Sequence, residues 1–276
     1  MGGGNEENVI LPAMENTVLG VCAGTIEVTI LQPMLYCKNA TQQGLPFTLD
    51  PRVLYRGLGM SVINMSILTG VQFPLTGGVS KLITGGEDRR LTAPEKISSG
   101  FVGGAISGII CAPMELVMIQ QQRFGTSLLG AAGRIVSEYG PATLFRGLST
   151  SCGREGLFTA GYLGMGPVFG DKLEKDFGVS KATGSFLGAS GAGMIAATLS
   201  HPLDTMKTCM QGDVEQKTYK SLFQTFSTLY KEEGAGRFFR GWSWRTTRMI
   251  CAIFLLGQCK TKLGPLLFPK YYIQEK

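Results

Sequence analysis

Arg154, Glu155, Arg245 and Arg248 stand inside stretches that are otherwise apolar, and Glu27 lies in the first such stretch. An ionised side chain at membrane depth costs roughly 2.5–3.5 kcal/mol or more unless it is paired or wet, so residues of this kind point to a polar cavity. A guanidinium fork donates two parallel hydrogen bonds to a planar carboxylate, which makes an anionic carboxylate the natural partner of Arg154 and Arg248. Glu155 adds a negative charge suited to an ammonium group, and Arg245 and Arg248, three residues apart, share a helix face. Two plainer readings stay open: Arg154 and Glu155 sit near an aqueous helix end, or Glu155 neutralises an arginine from another helix. Glu27 either lines the cavity or makes an ordinary inter-helix hydrogen bond. Catalysis has little to work with. His201 is the only histidine, the seven cysteines are scattered with no Cys-x-x-Cys, and neither catalytic residues, a metal site nor a cofactor is expected.

These residues need elements to position them, and the composition says where those elements lie. The 276 residues carry only 17% charged side chains, with a mean hydropathy of +0.14, too apolar for an ordinary soluble enzyme. Residues 57–80 and 182–203 contain no Asp, Glu, Lys or Arg, and each is long enough to cross a bilayer core. Residues 97–114 are also uncharged and place Gly100, Gly104 and Gly108 four apart, a spacing that lets helix backbones pack closely in lipid. The alternative is a soluble glycine-rich bundle with three buried hairpins. A net charge of +6 without clustering suits an anionic membrane surface or anionic solutes and gives no nucleic-acid stripe. The start, MGGGNEENVI, lacks the basic region of a secretory signal and the Arg/Ser-rich character of a transit peptide. Glu6 also breaks the myristoylation pattern, so targeting is expected to be internal.

Two signatures recur three times. Pro33, Pro113 and Pro202 each stand near the end of an apolar stretch, and each is followed nine residues on by a glutamine, Gln42, Gln122 and Gln211. The tetrapeptides LYRG (54–57), LFRG (144–147) and FFRG (238–241) then open the next apolar stretch. A three-fold internal repeat implies units that bury their apolar faces against one another. Six helices are expected, at 16–41, 57–83, 95–123, 147–174, 180–211 and 241–264. Short amphipathic surface helices are expected within 127–137 and 219–232. The prolines should kink the odd helices so that they converge and close one end of the bundle. Seven residues after each RG glycine come Asn64, Arg154 and Arg248, at matched depth. Asn64, Leu68 and Gln72 share a face, so the second helix brings no charge.

Over essentially its whole length the chain resembles the mitochondrial carrier family, whose hallmark is Pro-x-acid-x-x-base in three copies, with a later glutamine and an aromatic-basic-glycine element. The copies here are Pro33, Leu35, Lys38; Pro113, Glu115, Met118; and Pro202, Asp204, Lys207, of which only the third is complete. The resemblance implies an all-α membrane protein of six transmembrane helices in three pseudo-symmetric repeats (15–91, 92–178 and 179–268), flanked by tails at 1–14 and 269–276. It also implies a gate on the matrix side in which Glu115 meets Lys207 and Asp204 meets Lys38, leaving Leu35 against Met118. Both departures from the motif thus fall on one contact, and an apolar pair in place of an ion pair can be neutral in stability; the plainer reading is drift in a gate that no longer needs closing. At the opposite end, the stretches 74–78, 166–170 and 257–260 lack the acid that such carriers place late in each even helix, and Asp171 and Lys172 are displaced.

By the same resemblance Asn64, Arg154, Glu155, Arg245 and Arg248 would hold solute in mid-cavity. An arginine followed by an acid there goes with amino-acid-type substrates rather than nucleotides. The function implied is a multi-pass transporter of the mitochondrial inner membrane exchanging a small carboxylate-bearing metabolite, an amino acid or a di- or tricarboxylate, by alternating access. A second reading is a carrier-derived, non-transporting subunit of a larger inner-membrane complex; a third is an uncoupler-like proton pathway through Glu27 or Glu155. Expected partners are a small anionic or zwitterionic metabolite and membrane lipid, cardiolipin included, and no nucleic acid.

Overall fold

In the computed structural model, residues 11–87, 89 and 91–272 are described. Positions 1–10 of the expected N-terminal tail, Asp88 and Arg90 of the charged link, 273–276 of the C-terminal tail and the side chain of Lys260 lie outside the described residues. Six long helices dominate: α1 (Ala13–Gln43), α2 (Leu58–Ile83), α3 (Ala93–Phe124), α4 (the consecutive segments Leu148–Thr159, Ala160–Met165 and Gly166–Phe177), α5 (Lys181–Gly212) and α6 (Trp242–Leu267). No strand occurs among the described residues.

Each helix packs on its neighbours in chain order and α6 returns to α1, so the six form a closed ring. The odd helices α1, α3 and α5 also touch one another, and they run on through Pro33, Pro113 and Pro202. Large apolar side chains such as Ile63, Phe101, Ile106, Phe186, Ile195 and Phe254 face outward, while charged and amide groups are buried between the odd helices. That distribution is the one a hydrocarbon solvent around the ring and a polar centre require.

Local chemistry explains the elements. Thr92 caps α3, and Glu95 returns a carboxylate oxygen 2.8 Å from the Thr92 backbone N–H, with Pro94 in the first turn. Each even helix begins at an RG glycine in the left-handed region, Gly57, Gly147 and Gly241 at φ of 80°, 76° and 78°. A Cβ on Gly57 would meet Met118 and Gln122, one on Gly147 would face Lys207 and Gln211, and one on Gly241 would lie 3.0 Å from the Lys38 carbonyl, beside Gln42. The glycine of each repeat therefore lets its even helix start against the basic position and glutamine of another repeat's odd helix. Gly104 and Gly108 of α3 sit so close to α4 that a Cβ would come within 2.5 Å of the Glu155 carbonyl and 2.9 Å of the Cys152 Cα.

Four segments are apolar and long enough to cross a membrane on their own: Met14–Gln43, Pro51–Ile83, Ala93–Phe124 and Leu222–Leu267. The uncharged stretch 182–203 lies in α5, which at 32 residues is long enough to cross but is not among these four. Its glycines, serines and threonines, with His201, dilute its apolar residues, and α5 packs against α4 and α6. α4 likewise falls short, with Arg154 and Glu155 in its first segment and Asp171, Lys172, Glu174 and Lys175 in its last.

The middle segment of α4 is a π turn: the Gly166 N–H donates to the Gly161 carbonyl, five residues back, just before Pro167, which has no N–H to give. Surface helices cover Leu128–Tyr139, burying Ala131 and Ile135, and Leu222–Glu233, burying Leu229. The first repeat has only the turn Pro51–Leu54 in that place.

Candidate functional site

Where the odd helices meet, four cations surround three carboxylates. Lys38 Nζ of α1 lies 2.6 Å from Asp204 Oδ2 of α5, and Gln42 Nε2 donates to the same oxygen at 2.9 Å. Lys207 Nζ lies 3.1 Å from Glu115 Oε1 of α3 and 3.6 Å from Asp204 Oδ1. The even helices join in. Arg154 Nη2 of α4 donates to Glu115 Oε1 at 2.5 Å and to Glu155, while its Nε stands 3.6 Å from Asp204 Oδ1. Arg245 Nη1 of α6 is 3.7 Å from Asp204 Oδ2, its Nη2 donates to Ser200 Oγ at 2.8 Å, and its guanidinium lies 5.8 Å from the centre of the Phe158 ring. Ser151 donates to Glu115 Oε2 at 3.2 Å. Lys38, Glu115, Glu155, Asp204 and Lys207 are all buried.

Leu35 and Met118 are brought together apolarly: Leu35 packs on the buried cluster that holds Met118, Met60, Leu116 and Ile119, and Ser61 donates to Met118 Sδ. Gln122 accepts from Asn39 Nδ2 at 2.7 Å and Gln211 donates to the Ala112 carbonyl at 3.4 Å, so of the three glutamines only Gln42 touches an ion pair.

Arg248 and Arg245 diverge to different neighbours. Arg248 Nη2 donates to Glu27 Oε1 at 2.7 Å, joining α6 to a carboxylate of α1 that is only 1% exposed. Asn64 keeps Oδ1 buried with no partner, and Gln72 on the same face donates to Thr159 of α4 at 2.6 Å. Besides Asn64 Oδ1, buried atoms without a hydrogen bond include Arg154 Nε, Arg245 Nη1 and Arg248 Nε. A buried polar atom left without a hydrogen bond costs about 1–3 kcal/mol, so these four are able to take a further polar partner.

Sequence reasoning missed Gln32 and His201. Gln32 Nε2 donates to the Arg56 carbonyl at 3.0 Å, and His201 Nε2 lies 3.0 Å from the Arg240 carbonyl. Each thereby ties its odd helix to the RG turn of its own repeat. The signal was in the chain, because both residues directly precede the repeat proline; Ala112 in the second repeat has no such side chain. Ser151 and Ser200 carried no signal. Just beyond α5, Asp213 accepts backbone N–H groups of Lys217, Thr218 and Tyr219. Partial burial pushes its carboxyl up, but those hydrogen bonds and Arg146 outweigh it and hold the group below its ordinary 3.8. At the opposite end, no ion pair among the described residues involves 74–78, 166–170 or 257–260.

The model of the family described as mitochondrial carrier protein matches residues 89–175 and 178–263, more than half the chain. The chain belongs to the mitochondrial carrier family. The two matched stretches hold the second and third repeats, and the unmatched first repeat is the one whose motif lacks its acid at Leu35. An uncharacterized mitochondrial carrier of Schizosaccharomyces pombe is 28% identical, covering 93% of this chain and 94% of its own length. The mitochondrial glycine transporter of Yarrowia lipolytica is 26% identical over 84% of this chain and 88% of its own. The mitochondrial aspartate-glutamate transporter of Saccharomyces cerevisiae is 27% identical over 87% of this chain, though that is 30% of the yeast protein. This carrier is thus a mitochondrial membrane protein of the all-α carrier fold, built to pass small metabolites.

Proposed function

We propose that this carrier exchanges a small carboxylate-bearing metabolite across the mitochondrial inner membrane by alternating access, as a multi-pass protein with no catalytic chemistry. The observation that carries the reading is the set of buried donors without a hydrogen bond, Arg154 Nε, Arg245 Nη1 and Arg248 Nε, together with the buried acceptor Asn64 Oδ1. Solute carboxylate oxygens would take these donors and an amino group would take Glu155 or Asn64. The ion pairs of Lys38, Glu115, Asp204 and Lys207 form the closed gate, Leu35 and Met118 seal its third contact, and Gln42 braces Asp204 from beside Lys38. Binding energy gained at the arginines is then available to offset lost gate contacts, which is how a solute shifts a two-state carrier. Relatives named for glycine and for aspartate and glutamate agree with an amino-acid-type solute.

A second reading, a non-transporting subunit of a larger complex, rests on the sequence, since the stretches 74–78, 166–170 and 257–260 carry no acid. The proton-pathway reading is weakened because Glu27 and Glu155 are both engaged by arginines. The test is reconstitution of the purified chain in liposomes with labelled amino acids and carboxylates, paired with thermal shift of the detergent-solubilised protein. Exchange stimulated by internal solute is expected, and Arg245→Ala and Arg248→Ala should each abolish the solute-induced thermal shift. An unchanged shift in both variants would refute the site; no exchange of any solute, with recovery in a stable complex, would favour the subunit.

A further inference from the structure

If the carrier takes a carboxylate-bearing solute as proposed, its cavity charge fixes how many charges that solute brings: we infer that the solute enters with one net negative charge, as an acidic amino acid or a monocarboxylate, and not as a di- or tricarboxylate. The juxtaposition that carries this is the buried cluster. Lys38, Arg154, Lys207 and Arg245 lie within 4 Å of Asp204, Glu115 or Glu155, four formal positive charges against three negative ones. Arg248 and Glu27 form a neutral pair of their own at 2.7 Å. The cluster therefore holds one surplus formal positive charge among buried groups.

That surplus has an address. Lys38, Lys207 and Arg154 each donate a hydrogen bond to a carboxylate. Arg245 does not: its hydrogen bond goes to the neutral Ser200 hydroxyl, and Nη1 stands 3.7 Å from Asp204 with no hydrogen-bond partner. Of the four cations Arg245 is thus the one that donates no hydrogen bond to a carboxylate and has the longest ion-pair distance, and a solute carboxylate docking on Nη1 would match the surplus. A second net negative charge would meet no further surplus cation in this cluster; it would be buried uncompensated, or would have to take a cation from Glu115 or Asp204 and weaken the gate. A neutral amino acid would leave the surplus in place. Arg154, although matched in position to the other solute-facing residues, is already shared between Glu115 and Glu155 and belongs electrostatically to the gate.

The experiment uses the full chain, purified at pH 7, with a panel of solutes of graded charge: glycine, pyruvate, glutamate, malate and citrate. Thermal shift and half-saturation are read for each, first for the unaltered protein. Glutamate or pyruvate is expected to half-saturate at concentrations on the order of a hundredfold below malate and citrate, the ratio an uncompensated buried charge implies. Which of the two binds better distinguishes an amino acid from a plain monocarboxylate. Glu155→Gln raises the formal surplus from one to two, and its preference should move toward malate. Tighter binding of malate or citrate by the unaltered protein, glycine equal to glutamate, or an unmoved preference in a folded Glu155→Gln protein would each overturn the inference. If Glu155→Gln does not fold, the panel on the unaltered protein decides alone. A shift with none of the solutes would instead count against the transport reading itself.

Discussion

The apolar third contact of the gate can be tested by restoring the ion pair it lacks. Met118 is 5% exposed and sits among Met60, Leu116, Ile119, Ala131 and Ile135, with Leu35 packed alongside. Met118→Lys alone places an ammonium in that cluster. An uncompensated buried charge costs about 3–5 kcal/mol. At roughly 2–4 °C of melting temperature per kcal/mol for a chain of this size, the loss should be on the order of 10 °C. Adding Leu35→Glu supplies the partner from the facing helix, and the double variant should recover most of that loss. Met118→Leu, which keeps volume and polarity, should stay within about 1.5 kcal/mol of the parent. The readout is thermal unfolding followed with a thiol-reactive dye, because Cys111 and Cys209 are each 1% exposed and become reactive only when the helices part. Exchange in liposomes should follow the same order, with the single variant more impaired than the double. A double variant that melts no higher than Met118→Lys would refute the pairing of these two positions.

Two further outcomes follow from local geometry. A Cβ on Gly104 would come within 2.5 Å of the Glu155 carbonyl, which is backbone and cannot swing away, so Gly104→Ala must separate α3 from α4 at a cost of about 1–3 kcal/mol. Gly133→Ala is the control: it lies in a surface helix with nothing within 4 Å of the added methyl, and should stabilise by up to about 1 kcal/mol. Equal melting temperatures of the two variants would remove the close-packing argument. Asp213 has its carboxyl held below 3.8, so its contribution is fully present above that value and is lost as pH falls through the lower folded value. Asp213→Asn should therefore lower the melting temperature at pH 6 and show a shallower decline below pH 4 than the parent; parallel acid profiles would show that the loop does not depend on this carboxylate.

Much of the fold was legible because it is written in periodicities that one sequence displays. The helix expected at 16–41 spans Ala13–Gln43, that at 57–83 spans Leu58–Ile83, and the surface helix expected within 219–232 spans Leu222–Glu233. The RG glycines marked the even-helix starts because a left-handed residue tight against another helix admits little else. The π turn in α4 was not legible: Gly161, Gly164 and Pro167 announce a weak place, but whether the ladder kinks or shifts register is decided by packing on α3 and α5. The partners of the site arginines were hidden for a similar reason. Equal spacing from the RG glycines gives Arg154 and Arg248 equal depth, yet one reaches Glu115 and the other Glu27, because α3 carries a carboxylate at its motif and α1 carries Leu35 at the corresponding position.

That last difference bears on how gate and solute are joined. A gate made only from odd-helix pairs would feel a solute indirectly, through movement of the helices that bear it. Here Glu115 Oε1 is held by Lys207 at 3.1 Å and by Arg154 at 2.5 Å, so one oxygen is shared between the lysine of the proposed gate and an arginine of the proposed solute site. Asp204 is placed in the same way, within 4 Å of Lys38 and Lys207 and of both Arg154 and Arg245. A carboxylate arriving at the arginines therefore offers them the same ligand that the gate offers. An arginine that moved to one solute carboxylate would keep a partner throughout, and the carboxylate it left would still have its lysine, Lys207 for Glu115 and Lys38 for Asp204. On the proposed reading, the apolar pair Leu35 and Met118 leaves two ion-paired contacts rather than three to be opened, Lys38 with Asp204 and Lys207 with Glu115.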